Sequence, residues 1–329
     1  MPDVVALGEL LIDFVPTVSG VTLIEAPAFR KAPGGAPANV AAGLAKLGVP
    51  AGFMGKVGDD PFGHFLAQTL MEAGVDTAAL CFSSEARTAL AFVSLRADGE
   101  REFSFYRHPS ADMLYRPDEV DTGYIRTARI LHYGSISLIG EPSRSATLLA
   151  VETARSAGLL LSYDPNLRLS LWPSADAARE GILLGWPLAQ VIKVSAEELA
   201  FLSGADDPEA GARRLWHPGL RLLIVTLGKD GCAYITPQFS GRVASFPVKS
   251  VDTTGAGDGF VAGLLKGLLE HPQADQDEGR LRDICRYANA VGALATTKRG
   301  AIPALPAARQ VDRFLRQKKY AQKSHINRS

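Results

Sequence analysis

The sequence predicts an α/β protein: a doubly wound, mostly parallel sheet with helices on both faces and a small antiparallel β lid beside it. Three observations lead there. Short, nearly all-apolar runs alternate along the chain with stretches of helical periodicity, the rhythm of strands buried on both faces and joined by crossover helices. Two segments interrupt that rhythm and read as hairpins. Late in the chain, SVDTTGAGDGF at 250–260 joins what reads as a strand end to a helix through three closely spaced glycines.

The core strands are VVALG (4–8), RILHYG (129–134), LLLSYD (159–164), QVIKV (190–194) and RLLIVTLG (221–228). Between them lie helices with readable ends. PANVAAGLAKLG (37–48) closes on Gly48, and DDPFGHFLAQTLMEAGV (59–75) has an acidic cap, Pro61 in its first turn and Gly74 just past its end, the residue types that start and stop helices. The first irregular segment, 11–33, reads as strands with prolines suited to a sheet edge. The second, ALAFVSLRADGEREFSFYR (89–107), is two strands around an Asp98-Gly99 turn, a strong hairpin signal. Together they predict a small antiparallel sheet made by insertions at about 11–33 and 88–110, read either as a lid over a site or as edge decoration. Residues 1–329 otherwise form a single domain, and the basic run 316–329 is expected to be a disordered tail.

Composition excludes several classes. Lys and Arg total 35 and so do Asp and Glu, so there is no electrostatic case for a nucleic-acid or anionic-membrane partner. No apolar run is long enough to span a bilayer. Three widely spaced cysteines, Cys81, Cys232 and Cys285, make neither a disulfide framework nor a metal cluster and fit the reduced thiols of a cytoplasmic protein.

The chemistry concentrates at 255–258. GFVAGLLKGLLE (259–270) carries an apolar helical stripe, while Gly255, Gly259, Gly263 and Gly267 recur every fourth residue, leaving a bare face able to approach the sheet or a ligand. A glycine-rich helix entry directs free N–H groups and the positive end of the dipole at one point, where an anion is favoured. The spacing and late position are not those of a dinucleotide fingerprint, which counts against a dehydrogenase, and no Lys-Ser/Thr pair follows to make a P-loop. Asp258 inside this turn has two readings. It is a helix cap, or it is a general base facing an attacking hydroxyl while the amides of Gly255, Ala256 and Gly257 hold the charge that develops on the transferred group.

DTTGAGDGF resembles the C-terminal signature of the ribokinase-like (PfkB) carbohydrate kinases, and GGAPANVAAGLAKLG at 34–48 resembles their first signature. The resemblance runs from about residue 3 to 315 and implies an α/β core with a β lid, ATP as phosphoryl donor and a sugar hydroxyl as acceptor. By position, it makes Asp258 the base and Gly255, Ala256 and Gly257 the anion hole, with Asp13, Gly34, Gly35 and Asn39 holding the sugar. Arg168, in DPNLR after a core strand, resembles a phosphate-neutralising arginine, although Asp-Pro-Asn is equally a good turn. KVSAEE (193–198) places Ser195 where the family has asparagine and keeps Glu198, which matches the residue ordering Mg2+-bound water. Thr226, Gly228 and Lys229 in VTLGKDG resemble the nucleotide-binding turn, and Asn289 falls where the family lines the adenine. Asp252, Thr254, Ala295 and Gly300 match positions around a monovalent cation, taken as K+.

FSFYRHPSADMLY (103–115) is similar to the lid strand of the fructokinase branch, with Phe105 as an apolar wall and Arg107 as a donor toward sugar or phosphate; Phe103 reads as a core-facing ribbon residue. The resemblance thus implies ATP-dependent phosphorylation of D-fructose at the 6-hydroxyl. Kinases of 2-keto-3-deoxygluconate or aminoimidazole riboside share the scaffold as alternatives, and a non-catalytic sugar- or nucleotide-binding regulator is the rival of another class. Leu90, Phe92, Val93 and Leu95 give the lid more apolar surface than one small site uses, which predicts a homodimer through the lid.

Overall fold

The structure, a computed structural model, describes residues 1–18, 20–95 and 101–326. In chain order the elements begin β1 (Val4–Leu7), β2 (Leu11–Pro16), β3 (Phe29–Gly34), α1 (Ala36–Lys46), β4 (Ala51–Gly58), α2 (Pro61–Glu72) and β5 (Leu80–Ser83). They continue with β6 (Leu90–Leu95), β7 (Arg101–Tyr106), α3 (Thr122–Arg126), β8 (Ile130–Gly134), α4 (Ser143–Ser156), β9 (Leu160–Asp164), α5 (Ala175–Gly185), β10 (Val191–Ser195) and α6 (Ala196–Ser203). Then follow α7 (Pro208–Leu215), β11 (Leu222–Thr226), β12 (Cys232–Ile235), β13 (Ser240–Val243), α8 (Ala256–Glu270), α9 (Glu278–Ala295) and α10 (Ala308–Ile326).

The main sheet has the order β13-β12-β11-β10-β9-β8-β1-β4-β5. Seven strands, β5 to β11 along that order, are parallel, and β12 and β13 add an antiparallel edge. Alternation within the strands builds two cores. Val4, Ala6, Leu222 and Ile224 face one side, with residues of α1, α2, α8 and α9. Val5, Leu7, Tyr133, Tyr163, Val194 and Val225 face the other, with α4, α5 and α6. This is the expected doubly wound, three-layered core. The chain leaves β1 toward β4 on one side and later returns to β8 on the other, so strand order reverses between β1 and β8. Ligands bind at such a switch point, outside the carboxyl ends of the strands.

The second sheet, β3-β2-β6-β7, stands apart. Its pairs β2–β3 and β6–β7 are antiparallel, as expected, but β2–β6 is parallel, so the lid is mixed. The two insertions enter it in the same direction because each follows the same end of the main sheet. Asp98-Gly99 lies outside the described residues, as do the side chains of Leu95 and Phe103.

Three further expectations are corrected. FPVKSVDTT is irregular rather than a strand, pinned by Val251 N and Asp252 N donating to Thr296 O at 2.8 and 3.1 Å. The bare glycine face of α8 packs on α9 rather than on the sheet. A Cβ at Gly263 would lie 2.9 Å from Ala288 Cα, and one at Gly267 2.6 Å from Ile284 Cγ2, so the stripe lets α9 pack close. Finally, α10 continues to Ile326 where a disordered tail was expected from 316. Val311 is buried and Phe314 stacks edge-on to Phe246; this anchored start extends through Gln, Lys, Arg and Ala, all good helix formers.

Candidate active site

Gly255 caps α8 in the left-handed conformation, φ 75°, and no side chain bonds the helix start; Ala256 N donates to Thr253 O in a long bond of 3.3 Å. Asp258 sits in that first turn, yet it is not the cap. Its Oδ2 accepts from Asn39 Nδ2 on α1 at 2.8 Å, so the carboxylate is turned toward the segment that follows the lid. Asn39 is 4% exposed, and its Oδ1 is buried without a hydrogen-bond partner. A buried acceptor with no donor is costly and points to a donor that arrives with a ligand. Burial pushes Asp258 up to about 6; the Asn39 bond opposes that rise, Asp164 adds to it, and Lys193 and Arg168 lower it again. A carboxylate tuned toward neutrality beside free helix amides suits a base that takes a hydroxyl proton.

The sugar-side residues converge here. A Cβ on Gly34 would run into the Asp13 carboxylate, so only glycine lets Asp13 lie against the start of α1; Gly35 is that helix's N-cap. In the lid, Ala32, Asp13, Ala91 and Phe105 form one row across the four strands. Phe105 therefore shares a face with Asp13, and it packs with Leu11, Ala89 and Ala91. Arg107 departs from expectation. It is 3% exposed and ion-paired to Asp112, with Nε 3.1 Å from Oδ2. Through Nε and Nη2 its guanidinium secures the exit from β7. The reason is the Ser-Ala-Asp that follows: Ser110 Oγ also donates to Asp112, at 2.5 Å, completing a local cluster.

On the nucleotide side, Glu198 ties two loops together. Oε1 accepts from Leu167 N at 2.7 Å and Oε2 from Ser195 N at 2.8 Å. Ser195 Oγ in turn accepts from Glu198 N at 3.1 Å, a reciprocal capping box at the start of α6. The short side chain of Ser195 thus does the capping work that asparagine also performs. Arg168 is half-buried beside Glu198's loop and acts electrostatically on Asp258. Thr226 ends β11 next to Ser195 and donates from Oγ1 to Val194 O at 3.3 Å. Gly228 and Lys229 form an exposed turn just beyond. Asn289 is 4% exposed, and its amide donates to Val243 O at 3.0 Å, so it holds β13 to α9 and keeps its NH2 from the cleft.

Asp252, Thr254, Ala295 and Gly300 also come together. Asp252 Oδ1 accepts from Thr254 N and Oγ1 at 2.9 and 2.7 Å, Oδ2 accepts from Gly300 N at 2.9 Å, and Ala295 ends α9 one residue before Thr296. With its carboxylate spent on the loop's own donors, this clasp fits a cation held by carbonyl oxygens. Among the described residues no cluster of three or more His, Cys, Asp or Glu could hold a metal.

Sequence reasoning missed four polar residues in or beside the core strands. Lys193 Nζ donates to Asp164 Oδ2 at 3.0 Å. His132 lies beside Ser162 Oγ at 3.1 Å and is held near 3 by burial and by Lys193. Glu9, 3% exposed, accepts from Ala36 N at 2.8 Å and is pushed up to about 7 by burial. The signal was available: charged residues inside otherwise apolar strands covered on both faces need a reason.

An anion held at a helix terminus, beside a base that must meet a hydroxyl, is what a phosphotransferase with an alcohol acceptor requires, and this fold and site define that class. The comparisons narrow it. The model of the pfkB family carbohydrate kinases matches residues 1–308, and the chain belongs to that family. It is 59% identical over 315 residues to a protein named probable fructokinase-4 from Arabidopsis thaliana, covering 95% of this chain and 96% of that one. A fructokinase from Xylella fastidiosa solved with bound ATP superposes with a TM-score of 0.89 at 36% identity, over 97% of this chain and 100% of that one. One from Vibrio cholerae O395, solved with fructose, ADP and calcium, gives 0.87 at 37% identity, over 96% and 99%.

Proposed function

We propose that this protein transfers the γ-phosphoryl group of ATP to D-fructose, at the 6-hydroxyl, yielding fructose 6-phosphate. The observation that carries the reading is the Asn39–Asp258 bond, 2.8 Å long, with Asn39 Oδ1 left unpaired: a base and an acceptor are presented together to a hydroxylated ligand. Relatives solved with fructose and with ATP support the pairing of substrates.

In this mechanism Asp13, Asn39 and the Gly34–Gly35 backbone orient the sugar against Phe105. Asp258 Oδ1, the oxygen not engaged by Asn39, takes the proton as the hydroxyl oxygen attacks. The amides of Gly255, Ala256 and Gly257 receive the charge spreading over the transferred group, and Arg168 adds a fixed positive charge. Arg107 contributes by holding the lid's exit through Asp112. Thr226, Gly228, Lys229 and Ser195 border the nucleotide, with Asn289 fixing the wall behind it. Mg2+, ordered by water on Glu198, would neutralise phosphate charge when bound, and K+ in the Asp252 clasp (Thr254, Ala295, Gly300) would stiffen the anion hole. The lid excludes water that would otherwise hydrolyse ATP.

The same reading takes residues 1–329 as one kinase domain working in the cytoplasm as a homodimer. Tyr106, 64% exposed and on the lid face opposite Asp13 and Phe105, supports the dimer. The direct test is ADP release with fructose, 2-keto-3-deoxygluconate, ribose and aminoimidazole riboside, for wild type and Asp258→Asn. Turnover of fructose, reduced about 10²–10⁴-fold in the variant, is expected. Preferred turnover of another member would change the substrate, and binding without any turnover would favour a regulator.

A further inference from the structure

Lys193 is buried in the middle of β10, with 10% of its side chain exposed, and its partner Asp164 at the end of β9 has 3%. Removing such a pair from water costs more than it returns, so a buried ion pair is poor evidence of a stabilising role. Its position is informative instead. A Cβ on Gly257 would sit 3.1 Å from Lys193 Nζ, tighter than normal contact, so the ammonium presses against the anion-hole turn itself. The middle glycine of that turn makes the approach possible. One donor of the ammonium goes to Asp164; its other charged neighbours are Glu198 from α6 and Asp258 from α8, with His132 of β8 also within its field.

We propose that Lys193 is a positioning residue for phosphoryl transfer, its ammonium lodged between Asp164 and the Gly257–Asp258 turn to hold the base ionised and directed at the acceptor. The inference rests on the assignment of Asp258 as the base. Asp258 is faced by Asn39 from α1, Asp164 from β9, Arg168 from the loop after β9 and Lys193 from β10. Two carboxylates and two cations thus meet at the site. Lys193 is the cation built into a strand; Arg168 hangs from a loop. Without the ammonium, Asp164 and Asp258 would repel each other in a poorly solvated cleft, and Asp258 would keep its proton to higher pH.

The test is the pH profile of kcat for wild type, Lys193→Met, Lys193→Arg and Asp164→Asn, with Asp258→Asn as the control on the base. In Lys193→Met the acid limb should move to higher pH by about one to two units, the usual effect of a close opposite charge, with much of kcat recovered at pH 9. Lys193→Arg should restore most of the limb. Asp164→Asn, which removes the competing carboxylate, should move the limb the opposite way, so the proposal stays testable even if Lys193→Met folds poorly. Limbs that stay put while kcat falls equally at every pH would overturn it, as would a rise confined to the KM for ATP. If Asp258→Asn retains full turnover, the base assignment itself fails, independently of where the limbs of the other variants fall.

Discussion

As the proposed base, Asp258 must satisfy two opposed demands: ionised, to accept a proton, and poorly solvated, to accept it readily. With its carboxyl pushed up to about 6 mainly by burial, the base is protonated and idle below that pH and available above it. Wild-type kcat should therefore fall as pH drops below about 6, ahead of any loss of fold seen by circular dichroism. The stability consequence has the same sign. A folded-state value raised above the ordinary carboxylate range favours the fold while the group is neutral, and that contribution is lost as pH rises through about 6. Asp258→Asn should thus melt roughly 2–4 °C above wild type at pH 8, with the gap closing below pH 4. A lower melting temperature at pH 8 would mean that the carboxylate stabilises the fold. The raised value was not legible in the sequence, because burial, its first cause, and the Asp164 carboxylate at the end of β9, which adds to it, both depend on segments distant in the chain.

The element that carries the site is α8, and its two ends answer to different neighbours. Its first turn is shaped for an anion by Gly255; its remaining glycines are shaped for α9. The sequence showed the four-residue spacing but not what would occupy the bare face, since a missing side chain fits a ligand, a strand or a helix equally well. Gly267→Val would drive new methyls into Ile284 at a site about two and a half turns along α8 from Asp258. It should cost about 1–3 kcal/mol by overpacking, read as a lower urea midpoint, while the KM values remain within about twofold of wild type. A large KM change would argue that the stripe communicates with the site. At α6 the sequence offered Ser195 and Glu198 only as nucleotide-side residues implied by the family resemblance; the structure shows that they cap the helix reciprocally, and Glu198's second bond, to Leu167 N, joins segments that only the sheet brings together.

Across the whole molecule, the lid and the core divide the labour: the main sheet positions α8, β9 and β10, and the lid supplies Asp13 and Phe105 from one row. The lid's outer face carries the dimer prediction. Light scattering at micromolar concentration should give twice the chain mass, and Tyr106→Asp, placing a charge on that exposed surface, should return the monomer mass. A monomer for wild type would remove the lid-paired dimer. Among the described residues no helix is long and apolar enough to cross a membrane, as the hydropathy pattern indicated. By itself the sequence determined the layer architecture, because periodicity of apolar residues is local and survives any arrangement of neighbours. It also determined the glycine turn and the candidacy of Asp258, since residue type and spacing are enough to place amides and a carboxylate together. Only the tertiary structure decided that Asp258 bonds Asn39 rather than capping its helix, that Arg107 is spent on Asp112, and that Lys193 reaches the anion-hole turn. The first and last of those are contacts between segments far apart in sequence, and the Arg107–Asp112 pair, though local, depends on the chain's path out of β7; burial and charge act through space, not along the chain.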